Sequence, residues 1–280
     1  MGMNKYITNM PQSEYRAAEG FANSDLLMIA QNPSDYEWCK KAPQDPSKVE
    51  AKDFGTALHA ALLEPETFDD AVIVADVKGR NTQTFQRLII DNPDKVVMTE
   101  EEIAKIRIMQ ASAQCHPAMS LLLNVKGNRE ASVFVWDADF GVWLKARPDI
   151  DAAESAGFVG DLKSTDSLQD WREIPTWKNP LYKLNYGHTA AFYLYAMSMY
   201  YGREINTYKF GVCQKSVSLG RYPCSVFTIT KPELIELGFW EEMLNNIGKA
   251  SEHKKSGDWY AEESFYFGGE STTFEFSDGE

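Results

Sequence analysis

The sequence holds only four cysteines in 280 residues, Cys39, Cys115, Cys213 and Cys224, and no two of them form a CxxC pair. That spacing excludes a zinc ribbon and offers no iron–sulfur ligation, so reduced, buried thiols are the expected state. Long apolar runs are also missing. No stretch is long enough to cross a bilayer, and the N-terminal MGMNKYITNMPQSEYR has no apolar segment of signal-peptide length. A cytoplasmic chain without membrane association is expected. Basic residues are scarce beside acidic ones, 28 Lys and Arg against 41 Asp and Glu, for a net charge of −13. Such a balance argues against a general binder of nucleic acid or anionic lipid, and any phosphate-binding surface must be local.

What is present, 44% hydrophobic residues, suffices for a full core. Ser24-Asp25 before LLMIA predicts a short helix with a side-chain N-cap, ended by Asn32-Pro33-Ser34 ahead of a second helix in DYEWCKK. After the link APQDPSKVEAK, the apolar spacing of FGTALHAALLEPE predicts a helix over 54–64 that Pro65 closes. AVIVADVKG reads as a strand, and a polar stretch, GRNTQTFQR, leads to helices over about 99–113 and 116–123.

Three β-like segments follow, ASVFVWD, VWLKARPDI and GFVGDLKS, joined by links short enough to imply an antiparallel meander. A helix over 186–201, strands in NTYKFGVC and PCSVFTI, and an amphipathic helix over 231–254 complete the pattern. The expected organisation is one domain over 1–260 with N-terminal helical additions. A solvated tail over 261–280 follows, with six acids and no Lys or Arg.

The candidate chemistry lies in RPDID and GDLKS. A (D/E)-x-K tripeptide says little alone, since Glu50-Ala-Lys52, Asp76-Val-Lys78, Asp161-Leu-Lys163 and Glu252-His-Lys254 all match. Only Asp161 follows a strand that ends in another acid, Asp149. Alternation puts Asp161 and Lys163 on one side of their strand, and a meander would bring Asp149 to the same sheet edge. Two converging carboxylates call for a cation between them, and hard oxygen ligands suit Mg²⁺ or Mn²⁺. A lysine beside such an ion could neutralise charge developing on a phosphorane. Solvated charges at strand ends are the alternative. His59, one turn after Gly55 on the predicted helix, is either a core residue or the imidazole of a metal set.

FANSDLLMIAQNPSDYEW, GTALHAALLEPE, RPDID, GDLKSTDS and the helix ending in AAFYLYA, in that order over about residues 20 to 230, resemble the PD-(D/E)xK nucleases. The resemblance is to their RecE-type (exonuclease VIII) branch. It implies a restriction-endonuclease-like α/β core, with a central mixed sheet flanked by helices. It makes His59, Asp149 and Asp161 the metal ligands, with the Leu162 carbonyl a further one, and Lys163 the catalytic lysine. Glu130 falls where the branch often has an acid, although a capping role would also explain it. The branch's Gln-x-x-x-Tyr corresponds here to Thr189 and Tyr193, a departure at the first position, with His188 beside it as a substitute hydrogen-bonding group.

Tyr193, Thr189, Ser164, Lys145, Arg147 and Arg80 are the implied DNA contacts, with Lys78 and Arg87 in the same polar stretch as Arg80. The implied activity is Mg²⁺-dependent degradation of the 5′-ended strand of linear double-stranded DNA, Mn²⁺ substituting. The products would be 3′ overhangs for a single-strand annealing protein, made by a homo-oligomeric ring, a tetramer by analogy. A structure-specific endonuclease of the same fold is one alternative; a Cas4-like enzyme would carry a cysteine cluster absent here. A non-catalytic DNA-binding protein that keeps the fold is the other.

Overall fold

The computed structural model describes residues 3–39, 49–66, 68–174 and 176–259. The acidic segment 261–280 and most of the link before the histidine-bearing helix lie outside them. The chain opens with β1 (Lys5–Ile7), α1 (Gln12–Ala17), α2 (Asn23–Gln31) and α3 (Pro33–Cys39). Then come α4 (Val49–Leu63), α5 (Phe68–Ala71), β2 (Val72–Ala75), α6 (Gln83–Asp91), β3 (Val96–Thr99), α7 (Glu100–Cys115) and α8 (Pro117–Leu123). The central portion holds β4 (Asn128–Arg129), β5 (Ser132–Asp137), β6 (Val142–Ala146), β7 (Ile150–Ala152), α9 (Ala153–Ala156) and β8 (Phe158–Thr165). The last part comprises α10 (Pro180–Lys183), α11 (Tyr186–Tyr201), β9 (Thr207–Gln214), β10 (Cys224–Thr230), α12 (Lys231–Glu236) and α13 (Phe239–Ser256).

A five-stranded mixed sheet in the order β10-β9-β8-β7-β4 forms the centre. Only β8 and β9 run parallel in it, joined by the crossover helix α11, while its other pairs are antiparallel. Strand alternation divides the core in two. Val159, Tyr208, Phe210 and Val212 face α2, α11 and α13, whereas Phe158, Leu162 and Cys213 face α4, α7 and α8. Gly160 lets β8 and β9 approach closely, because a Cβ there would stand 2.6 Å from the Lys209 carbonyl oxygen.

Several expectations need correction. The three β segments do not make one meander. VWLKARPDI breaks at Arg147-Pro148-Asp149, so β6 pairs with β5 in a separate three-stranded sheet with β1, while β7 pairs with β8. Proline has no amide to donate to a ladder, which explains a break at this point. The predicted 54–64 helix starts earlier, at Val49, and the terminal helix is two, divided at Gly238, whose φ of +82° suits glycine. The helix before LLMIA begins at Asn23, with Asp25 reaching back to accept from the Ala22 amide at 2.8 Å instead of capping from the front. The strand read in AVIVADVKG is β2, whereas β1 and β3, the parallel partner of β2, carried too short a signal to be read from the sequence.

Candidate metal centre

The site grows from the register of two strands. Ile150 lies opposite Gly160, so the next antiparallel step sets Asp149 opposite Asp161. There the chain turns away at Pro148, and from Asp161 onward the β7 side of β8 has no partner strand among the described residues. Side chains take over that open edge. Asp149 Oδ2 accepts from the Leu162 amide at 2.6 Å, and Asp161 Oδ1 accepts from the Asp149 amide at 3.3 Å. The Leu162 carbonyl oxygen points to His59 Nε2 at 3.0 Å. Residue 162 thus spends its main chain on holding a carboxylate and meeting an imidazole.

His59 reaches this edge from α4, whose Ala57, Leu58, Ala61 and Leu62 are buried. Its Nδ1 lies 3.5 Å from Asp149 Oδ2. Glu130 arrives from the turn before β5, held by its own amide donating to the Asp149 carbonyl at 3.3 Å. Its φ of +47° is a left-handed conformation that costs a non-glycine residue about 1 kcal/mol or more. That strain brings the carboxylate into the site, where one ligand atom each of His59, Glu130 and Asp149 lies within 4.8 Å of the others. Arg147 Nη2 touches Glu130 Oε2 at 3.4 Å, while its Nε and Nη1 have no hydrogen-bond partner among the described residues.

Asp161 stands beside this group, with its other oxygen paired to Lys163 Nζ at 2.7 Å. The ammonium also lies 5.3 Å from the centre of the Tyr186 ring. Burial pushes the Asp149 carboxyl up to about 6; Asp161 adds to the rise, and His59 and Lys163 oppose it. At Lys163 burial works against the charge, but Asp161 and Asp149 outweigh it and hold the ammonium protonated. One imidazole, two carboxylates and a nearby carbonyl form a mainly hard donor set that fits a divalent cation of the Mg²⁺ or Mn²⁺ type.

The other expected contacts divide. Tyr193 Oη donates to the Arg147 carbonyl at 3.3 Å, which keeps it close to the site. Ser164 shares the face of Leu162 and lies opposite Cys213. Thr189 is buried; its hydroxyl donates to the Asn185 carbonyl and accepts from Asn23 Nδ2 at 2.9 Å. His188 does not substitute for a DNA-facing glutamine, since it is fully buried between Asn23 Oδ1 at 2.7 Å and Asn246 Nδ2 at 3.1 Å.

Lys145 is not presented to a DNA backbone either. It is buried, and its ammonium donates to the Arg16 and Ala18 carbonyls at 3.1 and 2.8 Å. Arg80 is likewise spent internally, on Glu102 at 2.9 Å and Asp53 at 3.1 Å. Arg87 pairs with Asp91 on an exposed helix face, and Lys78 is exposed. Two residues near this machinery were missed in the sequence: Asn23, which bridges His188 and Thr189, and Tyr186, which flanks Lys163. Asn23 sits inside FANSDLLM, a stretch singled out for its resemblance and not for that bridge.

A family described as "PDDEXK-like domain of unknown function (DUF3799)" matches residues 19–222, which include every residue of this site. The chain belongs to that family. In this PDDEXK-like protein the D-x-K strand is β8, and the acid before it closes β8's open edge. The crystal structure of a "Putative exonuclease" from Eubacterium rectale superimposes with a TM-score of 0.60 at 12% identity, covering 96% of each chain. At that identity the likeness shows the fold, which is restriction-endonuclease-like: a central mixed sheet between helices. No curated protein matches the sequence. Among the described residues no helix is long and apolar enough to cross a membrane.

Proposed function

We propose that this protein is a divalent-metal-dependent exodeoxyribonuclease acting on the ends of linear double-stranded DNA. The observation that carries the reading is the meeting of His59, Glu130 and Asp149 with the Asp161–Lys163 pair at the open edge of β8. His59, Asp149 and Glu130 would hold the ion, with Asp161 and the Leu162 carbonyl beside them. When bound, a Mg²⁺ or Mn²⁺ ion supplies Lewis-acid polarisation of a phosphate oxygen and lowers the proton affinity of water.

The chain's own residues do the rest. Lys163, an ammonium fixed 2.7 Å from Asp161, offers positive charge to a non-bridging phosphate oxygen as negative charge accumulates there. Asp161 keeps that ammonium in place. Asp149 Oδ2, fixed by the Leu162 amide, is held 3.5 Å from His59 Nδ1 at the site. Arg147, with two nitrogens that have no hydrogen-bond partner among the described residues, has donors to spare for a DNA phosphate, although these nitrogens are covered until a side chain shifts. Attack on the 5′-ended strand, 3′ overhangs, a tetrameric ring and an annealing partner all follow from the resemblance to the RecE-type branch.

Linear duplex and covalently closed circles, each incubated with Mg²⁺ and with EDTA, test the reading. Linear DNA should be consumed only with the metal, and circles spared. Asp161→Asn and Lys163→Ala should abolish cleavage while the circular dichroism spectrum is kept. Rapid cutting of closed circles would point to an endonuclease of the same fold, and an Asp161→Asn variant as active as the wild type would refute the site.

A further inference from the structure

The sheet ends at β10. One side of this seven-residue strand pairs fully with β9, and Ser225–Ile229 make no backbone hydrogen bond beyond that ladder among the described residues. An edge with free amides and carbonyls is a template for an added strand. Beside it lies a cavity of about 270 Å³, walled by Trp171, Phe210, Phe227, Ile229 and Leu237, with Ile174 half in solvent at its mouth. Trp171 and Phe227 stack with ring centres 5.3 Å apart.

Trp171 is 4% exposed, and its indole N–H finds no acceptor among the described residues. A buried donor left unpaired costs about 1 to 3 kcal/mol, and since this nitrogen is covered, a carbonyl entering the cavity would recover that loss only once a side chain shifts. The rim is acidic: Glu233 and Glu236 border the cavity, and neither forms an ion pair with a cation among the described residues. That sign disfavours a nucleic-acid backbone and favours a cationic chain.

We propose that the β10 edge and its neighbouring cavity form a docking site for an extended basic peptide segment of a partner protein. One apolar side chain of the segment enters the cavity while its backbone extends the sheet. Aliphatic or aromatic anchors of moderate size fit the volume, and lysines or arginines on the flanks meet Glu236 and Glu233. The cavity shares no residue with the metal centre, although the ring centre of its Trp171 lies 5.7 Å from that of Tyr186, the ring beside Lys163, and its occupation requires neither metal nor DNA.

The test uses the full chain in EDTA and a fluorescein-labelled peptide, Lys-Val-Leu-Val-Lys-Lys, blocked at its C-terminus. Companions replace the lysines by glutamate, the leucine by serine, or methylate alternate backbone nitrogens. Fluorescence polarisation should show saturable binding of the basic peptide below about 1 mM, weakened at least about tenfold by each change. Glu236→Lys, at an exposed position, should have the same effect without loss of thermal stability. In protein labelled with ¹⁵N-tryptophan, the Trp171 indole proton, assigned with Trp171→Phe, should shift downfield on binding.

Several results would overturn the proposal: no saturable binding, equal binding of the acidic peptide, or indifference to backbone methylation. Displacement of the peptide by a short DNA duplex would assign the face to nucleic acid instead. Self-association abolished by Glu236→Lys, without peptide binding, would assign it to a second copy of the chain. None of these readouts depends on cleavage, so failure here and failure of the nuclease reading are told apart.

Discussion

Lowering the pH should unfold this protein through His188. The imidazole is fully buried on α11, with Nδ1 2.7 Å from Asn23 Oδ1 and Nε2 3.1 Å from Asn246 Nδ2. A neutral ring protonated on Nδ1 satisfies both contacts, whereas a second proton on Nε2 would face the Asn246 amide hydrogens. Burial lowers the His188 pKa from 6.5 to about 4. Between those values the unfolded chain binds the proton and the folded one does not. Stability from this group is therefore complete above the unfolded value and is lost as pH falls toward the folded one.

A shift of that size corresponds to about 3 kcal/mol at most, of which about 2.5 would be lost between about pH 7 and about pH 4.5. Urea unfolding followed by tryptophan fluorescence at several pH values, for the wild type and for His188→Gln, isolates the term. The variant loses a constant amount of stability but has nothing to titrate at this position, so its curve should be flatter by roughly that amount. Asn246→Asp, which places an acceptor beside Nε2, should also flatten the curve. Parallel wild-type and His188→Gln curves would show that the ring takes up its proton in the folded state, and would refute the reasoning.

Mn²⁺ should raise the melting temperature of the wild type and leave Asp149→Asn unchanged, because a ligand that binds only the folded state stabilises it in proportion to its saturation; equal shifts in both would place the ion elsewhere. Gly187→Ala adds a methyl against the Phe239 ring, where α11 meets the start of α13, and should destabilise by about 1 to 3 kcal/mol despite alanine's better helix propensity, as measured by urea denaturation. Leu219 has a φ of +51° and is fully exposed in the turn that Ser218 and Arg221 close, so Leu219→Asn should stabilise by about 0.5 to 1 kcal/mol; a lower melting temperature would contradict this. Arg80→Ala should cost stability by stranding Glu102 and Asp53, and should leave DNA affinity unchanged in a gel-shift titration.

Alternation and short links were enough to place Asp149 beside Asp161, with Lys163 on the same side, since a two-residue period and a tight reversal are local properties of the chain. Helical spacing likewise gave α11 its limits of Tyr186 and Tyr201 before any tertiary contact was known. Other features could not be read locally. His59 meets the Leu162 carbonyl across 103 positions of sequence, and only the packing of α4 on the sheet brings them together. Glu130 joins His59 and Asp149 because a left-handed backbone turns it inward, a choice its neighbours in sequence do not reveal. Lys145 and Arg80 carry the same charge as Lys163 and Arg147, yet they are consumed by internal carbonyls and carboxylates. Sequence by itself determined which residue types lie where along each strand and helix. Tertiary structure decided which charges stay available, because availability depends on burial and partners that are assembled only when distant segments meet.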